Sequence, residues 1–235
     1  IQAQRDAAWG EVARRLAHEI KNPLTPIQLS AERLQRKLEG KLDRADHELL
    51  QRATNTIVAQ VGALKGMVDD FSLYSRSSRL VPGEVMLNDL LREVLTLYEA
   101  MNVHMDVRLD ASLPVIHADA SLLRQVIHNL MQNALDALAG VTAPALVVST
   151  QAADDRVQMI VEDNGSGIRE DLLGRIFEPY VTSKPKGTGL GLAIVKKIVE
   201  EHGGAVSIAN VKPHGARVVI SLAAGAVRMH PGNSQ

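Results

Sequence analysis

Two long amphipathic patterns fill the first third of the chain and constrain its fold more than any other feature. Apolar residues recur mostly at three- and four-residue steps over residues 1–38 and again over 46–77, with charged residues between them. Gly40 can end the first pattern, and Asp43 or Asp46 can begin the second. The spacing predicts two long helices in an antiparallel hairpin. Because such a hairpin cannot bury its apolar stripes alone, we expect two copies to form a four-helix bundle.

The first predicted helix carries an imidazole, a carboxylate and an amide within about one turn. His18 and Asn22 share a face because side chains at i and i+4 stack, and Glu19 lies beside them. The three residues offer a nucleophile, a base and a hydrogen-bonding amide, but by themselves they are only a weak indication of a catalytic site. Pro23 and Pro26 are expected to interrupt this helix with a kink just after His18, since proline removes a backbone hydrogen bond.

The composition narrows the possible functions. The chain has 235 residues and no cysteine, which excludes disulfides and thiolate metal sites. Its net charge of −1 gives no reason to expect nucleic acid or an anionic membrane as a partner. No apolar run approaches the roughly 18 residues that a membrane span needs. The chain begins without methionine inside a helical pattern, so we expect a fragment with any membrane anchor upstream.

A change of composition at residues 77–83 predicts a domain boundary. We expect a first domain over 1–78, a linker over 79–84, a second domain over 85–225 and a disordered tail over 226–235. Helical and strand patterns alternate in the second domain, which predicts a mixed sheet with helices on one face, an α+β layer. The expected helices are 88–101, 119–138 with Asp119 as N-cap, and 189–202; the expected strands are 103–109, 114–116, 146–151, 156–162, 205–208 and 216–222.

Two polar motifs in the second domain suggest a ligand site. Asn129 and Asn133 lie four residues apart on one helix, and amide oxygens suit Mg²⁺, although two surface asparagines are the simpler alternative. Asp163, Gly165 and Gly167 follow a predicted strand. A carboxylate there can accept a hydrogen bond from an exocyclic amine, and the glycines let the backbone approach a flat base. An ordinary turn is the alternative.

Two further motifs extend this prediction. The glycine-rich segment 187–191 opens a predicted helix, where uncovered backbone N–H groups can bind phosphate. It matches neither the Walker nor the Rossmann pattern. Phe177 stands in a long polar loop and is expected to anchor a mobile segment, and Lys184 could reach a phosphate or simply be solvated. The order of the four motifs predicts a nucleotide pocket covered by a loop.

Taken in order, these stretches resemble the catalytic core of bacterial sensor histidine kinases. Residues 18–23 resemble the H box of this family, and the helix with Asn129 and Asn133 resembles the N box. Residues 163–167 resemble the G1 box, residues 177–180 the F box and residues 187–191 the G2 box. Residues 24–34 are similar to the NtrY branch of nitrogen-regulation kinases. The resemblance implies a dimerisation and histidine-phosphotransfer hairpin followed by an ATP-binding α/β sandwich of the Bergerat type.

The resemblance also implies roles for individual residues. His18 would take the γ-phosphoryl group of ATP, Glu19 would act as general base, and Asn22 would orient a water that dephosphorylates the partner. Asn133 would hold Mg²⁺, with Asn129 nearby on the phosphates. The residues implied to bind the nucleotide are Asp163 at the adenine amine together with Gly165, Gly167, Phe177, Lys184, Gly187, Thr188, Gly189, Leu190 and Gly191.

The implied partners are a second copy of the chain and the receiver domain of an NtrX-like response regulator, with no nucleic acid. The implied location is cytoplasmic, as part of a protein anchored in the inner membrane. Two alternatives remain. Chaperone and mismatch-repair ATPases share the nucleotide motifs but lack a histidine box on a hairpin, and a degenerate kinase would only bind, although no box is broken here. His104, His117, His202 and His214 are expected to be surface histidines and not metal ligands.

Overall fold

The computed structural model describes residues 2–75, 80–101, 103–184 and 187–225, with side chains from residue 16 onward except those of residues 18 and 73. The chain divides into two compact units, Ile1–Ser78 and Arg79–Gln235. The predicted tail 226–235 lies outside the described residues. Over the described part of the chain, no helix combines the length and apolarity needed to cross a membrane.

The first unit is a hairpin of helices α1 (Gln2–Leu38) and α2 (Arg44–Ser75), as predicted. Gly40 adopts a φ of +71° in the connection, a conformation that glycine tolerates best. Asp43 begins α2, because its Oδ1 accepts a hydrogen bond of 2.9 Å from the backbone N–H of Asp46. Of the two candidate starts, the structure therefore selects Asp43.

The seam between α1 and α2 follows a seven-residue repeat on both helices. The residues that α1 buries there are Ala17, Leu24 and Ala31, and those that α2 buries are Thr54, Val61 and Val68. Seven residues are close to two helical turns, so each set lies along one stripe. Thr54 remains satisfied in this seam because its hydroxyl donates to the carbonyl of Leu50 at 2.8 Å.

The expected interruption of α1 at its prolines is wrong. The helix continues through Pro23 and Pro26 without a break from Gln2 to Leu38. Leu24, between the two prolines, is 7% exposed in the seam, so packing against α2 offsets the loss of two backbone hydrogen bonds. A bend at this point stays a prediction.

The second unit contains a five-stranded sheet and a two-stranded ribbon. Its elements are β1 (Gly83–Val85), α3 (Leu87–Thr96), β2 (His104–Arg108), β3 (Ile116–Ala118), α4 (Ala120–Ala137), β4 (Ala145–Ala153), β5 (Arg156–Asp163), α5 (Glu170–Leu173), α6 (Gly191–Glu201), β6 (Ala205–Asn210) and β7 (Ala216–Ala223). The sheet order is β2-β4-β5-β7-β6, in which β2 and β4 are parallel and the other neighbours antiparallel, and the ribbon pairs β1 with β3. Helices α3, α4 and α6 cover the sheet, with α4 packed against α3, α6 and β5.

The predicted mixed sheet with a helical layer is confirmed, with local differences. Strand β1 begins inside the predicted linker 79–84, and the short helix α5 was not predicted. Helix α3 ends before the expected residue 101, because the N–H of Tyr98 bonds the carbonyl of Leu95 and tightens the chain into turns. Strand β3 lies two residues later than expected, where it pairs with β1. The two short strands depend on pairing with each other, which local periodicity does not report.

Candidate functional site

Helix α4 forms one wall of the candidate site in the second unit. Asp119 caps it as predicted, since its side chain accepts hydrogen bonds of 3.0 and 3.2 Å from the N–H groups of Ser121 and Leu122. Its apolar face is buried against the rest of the unit. Asn129 and Asn133 lie half-buried on α4, one helical turn apart.

The two asparagines meet the start of helix α6. A Cβ built on Gly191 would lie 3.6 Å from Asn129 Oδ1 and 3.6 Å from Asn133 Nδ2, so no side chain separates the helix start from the amides. Leu190, the N-cap residue, makes no side-chain capping bond to the first N–H groups of α6. Among the described residues, the buried Nδ2 of Asn129 has no hydrogen-bond partner. Asn133 Nδ2 and the backbone N–H groups of α6 can donate at this point, which suits an anion, whereas Asn129 turns its Oδ1 toward the helix start.

Asp163 ends strand β5 with its side chain on the buried face. Strand residues alternate between faces, and Asp163 falls in step with the buried Val157, Met159 and Val161. Its Oδ1 accepts hydrogen bonds from the N–H of Gly165 at 2.9 Å and of Ala216 at 3.4 Å. Burial nevertheless raises the pKa of this carboxyl above its usual value. No described residue donates to Oδ2, so this oxygen can accept from a ligand.

The turn after Asp163 is pressed against the end of α4. A Cβ on Gly165 would lie 2.5 Å from the carbonyl oxygen of Ala137, and the N–H of Ser166 bonds that same oxygen at 3.3 Å. Gly167 adopts a φ of +68° in the next step of the turn. The glycines predicted from sequence are therefore required by close backbone approach and by conformation.

Sequence reasoning missed two residues that hold this turn. Gly215 has a φ of +122°, and a Cβ there would collide with the backbone carbonyl of Asp163. Asn210 accepts from the N–H of Ile168 and donates to its carbonyl, both at 2.7 Å. Asn210 is the last residue of β6, and Gly215 lies in the connection to β7, a segment whose sequence indicates a turn. That this turn faces Asp163 follows from the pairing of β7 with β5.

The glycine-rich segment is tied to the preceding loop at Tyr180. The N–H of Tyr180 bonds the carbonyl of Gly189 at 3.0 Å, and a Cβ on Gly189 would lie 2.6 Å from the carbonyl carbon of Tyr180. Gly189 has a φ of +68°. Thr188 Oγ1 accepts from the N–H of Leu190 at 3.2 Å, and Leu190 is buried. The segment is thus shaped by its own backbone contacts before any ligand is considered.

Lys184 reaches α4 and contacts the predicted metal ligand. Its Nζ donates to Asn133 Oδ1 at 2.8 Å and to Asp136 Oδ2 at 2.8 Å. Gly187 makes room for this arrangement, because a Cβ there would lie 3.0 Å from Lys184 Cβ. Phe177 is half-buried, and its neighbour Ile176 is the buried apolar residue of the loop. Four of the predicted motifs therefore gather around α4 or its immediate neighbours.

Residues 18–22 lie on α1, in the other unit. Glu19 and Asn22 have exposed side chains, and the backbone of His18 is helical while its side chain lies outside the described part of the chain. Beside them, Lys21 forms an ion pair with Asp69 of α2. The expected grouping of His18 and Asn22 on one face follows from the uninterrupted helix.

Family comparisons match the two units separately. The family described as His Kinase A (phospho-acceptor) domain matches residues 8–79, and the Histidine kinase-, DNA gyrase B-, and HSP90-like ATPase family matches residues 118–226. A solved catalytic domain of the histidine kinase ThkA is 32% identical, with 95% of that domain and 61% of this chain covered and a TM-score of 0.56. The chain belongs to the sensor histidine kinases. This also decides against the chaperone and mismatch-repair ATPases, because the phospho-acceptor family occupies the hairpin.

Within the histidine kinases, the NtrY branch is confirmed by relatives that match across nearly the whole chain. The chain is 41% identical over 230 residues to the nitrogen regulation protein NtrY of Azorhizobium caulinodans, covering 94% of this chain and 29% of that protein. It is 36% identical to a putative NtrY-like sensor histidine kinase of Rickettsia conorii, covering 94% of this chain and 37% of that protein. The kinase core thus spans about a third of the length of these relatives.

Solved full-length and complexed kinases share the fold. ShkA, crystallised full-length with AMPPNP, has a TM-score of 0.74 at 27% identity, with 92% of this chain and 47% of ShkA covered. ThkA in complex with the response regulator TrrA has a TM-score of 0.68 at 30% identity, with 95% of this chain and 64% of the ThkA chain covered. The predicted hairpin followed by an ATPase sandwich is confirmed.

One histidine of the kinase differs from its expected surface position. His202 is 5% exposed, and its Nε2 accepts the N–H of Asp119 at 2.9 Å. Its Nδ1 lies 2.7 Å from the carbonyl of Ile198, so the proton must reside on Nδ1. The ring therefore links the end of α6 to the start of α4. Over the described residues, no cluster of three or more His, Asp or Glu side chains could hold a metal ion.

Proposed function

We propose that this chain is the catalytic core of an ATP-dependent protein-histidine kinase that phosphorylates its own His18 and passes the phosphoryl group to an aspartate of a response regulator. One observation carries the nucleotide site: the side-chain amides of Asn129 and Asn133 lie against the start of α6, and the buried Nδ2 of Asn129 has no hydrogen-bond partner among the described residues. Buried amide donors seldom lack a partner. Phosphate oxygens at the start of α6 would accept hydrogen bonds from Asn133 Nδ2 and from the backbone N–H groups there.

The remaining pocket residues fit an adenine nucleotide. Asp163 presents Oδ2 for an exocyclic amine, and Gly165 and Gly167 bring the backbone close to a flat ring. Asn133 offers an amide oxygen, a ligand type that Mg²⁺ accepts alongside phosphate oxygens and water. Mg²⁺ bound there would neutralise charge on the transferring phosphoryl group. Lys184, Thr188 and Phe177 complete the proposed nucleotide-binding set with Gly187, Gly189, Leu190 and Gly191.

The phosphoacceptor chemistry is assigned to α1. A neutral imidazole is a good nucleophile near its ordinary pKa of about 6.5, so His18 can attack at cellular pH. We assign Glu19 as the general base that orients the ring and removes its proton. Asn22, one turn further, would orient a water for hydrolysis of the phosphorylated regulator. Phosphatase activity toward the regulator is therefore part of the proposal.

The exposed apolar stripe of the hairpin supports a homodimer. Ile20, Ile27 and Leu34 of α1 recur at seven-residue steps and are 46%, 47% and 52% exposed. Ile57 and Leu64 of α2 continue the pattern at 42% and 44%. A second hairpin would remove these side chains from water and form a four-helix bundle.

The proposed phosphoryl acceptor is the receiver domain of an NtrX-like response regulator. The related kinase ThkA has been crystallised in complex with the response regulator TrrA, and the similarity to NtrY favours the nitrogen-regulation branch. By resemblance to the NtrY-type kinases, the proposed location of the core is cytoplasmic, as part of a protein anchored in the inner membrane.

Labelled ATP tests this proposal. The γ-labelled nucleotide is expected to leave an acid-labile, alkali-stable label on the chain, and His18→Ala should abolish it. Nucleotide binding by His18→Ala should equal that of the original chain, because the substitution lies in the other unit. A chain that binds ATP without acquiring label would instead be a binding module.

A further inference from the structure

Lys184 occupies the oxygen that the proposed kinase needs for its metal. Its ammonium lies 2.8 Å from Asn133 Oδ1 and 2.8 Å from Asp136 Oδ2. We propose that Lys184 and Mg²⁺ compete for Asn133 Oδ1, and that Asp136 is the positioning residue that sets the balance between them. This inference rests on the proposed nucleotide site and assigns a role to Asp136, which no sequence motif indicated.

The orientation of Asn133 follows from this contact. An ammonium group only donates, so the amide oxygen must face Lys184. The Nδ2 atom then points toward the start of α6, in agreement with its 3.6 Å distance from a Cβ built on Gly191. The one metal-ligating atom of this side chain is therefore covered by a cation when no nucleotide is present.

A shared oxygen cannot serve both cations well. Mg²⁺ binds oxygen at about 2.1 Å, so an ammonium on the second lone pair of the same oxygen would lie only about 4 Å from the metal. Like charges at that separation repel strongly, above all in a partly desolvated site. Metal ligation by Asn133 thus requires the Lys184 ammonium to move away, and nucleotide phosphates would be its alternative partners.

Asp136 favours the state in which the Lys184 ammonium covers Asn133 Oδ1. One of its oxygens holds Lys184, and the other accepts a 2.8 Å hydrogen bond from Gln132 Nε2, so the carboxylate is fixed on α4. The Lys184 and Asp136 side chains are 36% and 40% exposed, a setting in which an ion pair contributes modestly. Weakening this pair should therefore shift the competition toward Mg²⁺ by a few-fold without affecting the fold.

Binding of AMPPNP to the full chain tests the competition. Calorimetric affinities measured across a MgCl₂ series give the Mg²⁺ concentration at which half of the metal-dependent gain in affinity is reached. For Asp136→Asn we expect this concentration to fall about threefold. Asp171→Asn is the matched control, because it breaks the exposed 2.6 Å pair of Asp171 with Arg169, which does not touch Asn133. Its Mg²⁺ requirement should not change.

A double-mutant cycle identifies the path of the effect. Once Lys184→Met removes the competing ammonium, Asp136→Asn should no longer lower the Mg²⁺ requirement. An unchanged or raised requirement in the single Asp136→Asn variant would overturn the proposal, and a rise would show that the carboxylate acts on the metal directly. If Lys184→Met binds too weakly to measure, the contrast between Asp136→Asn and Asp171→Asn still decides. Failure of the original chain to bind AMPPNP would overturn the proposed nucleotide site as well.

Discussion

The hairpin and the α/β unit bury their apolar residues in different ways. In the α/β unit, helices cover the sheet and side chains such as Leu146, Val148 and Val195 are completely buried. In the hairpin, one narrow seam is buried while Ile27 and Leu34 remain about half exposed. The α/β unit closes its core within one chain, whereas the hairpin leaves a surface that a further helix pair would complete.

The units also use glycine differently. Gly189 has a positive φ and no space for a Cβ, whereas Gly62 of α2 has nothing within 4 Å of a Cβ built on it. Gly189 thus shapes the proposed phosphate-binding loop, whereas Gly62 only lowers helix propensity. The proposed nucleotide site therefore depends on backbone conformation, and the proposed phosphoacceptor site depends on side chains presented by a regular helix.

The largest expected effect comes from Gly189→Ala. The added methyl must adopt an unfavourable φ and displace the backbone at Tyr180, which distorts the proposed phosphate-binding loop. We expect ATP affinity to fall on the order of 100-fold, measured by calorimetry. Gly62→Ala is the control, with unchanged ATP affinity and a hairpin about 1 kcal/mol more stable. Equal ATP affinities of the two variants would contradict the proposal that the conformation of Gly189 shapes the nucleotide site.

Asp163→Asn should have the next largest effect, with opposite consequences for binding and stability. Loss of a charged acceptor for the adenine amine should weaken ATP binding about 30-fold. Because burial raises the pKa of Asp163, folding favours its protonated form, and its contribution to stability is lost as pH rises from the ordinary aspartate value through the raised one. The nucleotide-free Asn variant should therefore gain stability relative to the original chain as pH increases.

Thermal unfolding at several pH values, followed without nucleotide, measures this difference. A stability difference between Asp163→Asn and the original chain that stays constant from acid to neutral pH would contradict the predicted burial effect.

A smaller effect is expected for Ile27→Ser on self-association. Replacing this half-exposed side chain should weaken the proposed dimer about tenfold, since each copy would lose apolar contact area. Analytical ultracentrifugation over a concentration series measures the change. Leu97→Ser is the matched control, because Leu97 is 68% exposed in the α/β unit and belongs to no proposed interface. Equal association by the two variants would argue that the hairpin stripe is not the dimer surface.

Features with a local cause were predictable. The two long helices follow from periodic apolar residues, the start of α4 from the capping side chain of Asp119, and the turn after β5 from its glycines. The continuity of α1 through Pro23 and Pro26 was not predictable in the same way. There, contact with α2 outweighs a local preference.

Sequence alone determined which residues form the long helices, which strand leads to Asp163 and which loops contain glycine, because these signals lie within a few residues of one another. Tertiary structure decided that Gly215 supports Asp163, that His202 is buried against Asp119, and that Lys184 lies between Asn133 and Asp136. Each of these contacts joins residues more than 45 positions apart in the chain. Strand pairing and helix packing place them together, and no local pattern encodes that placement.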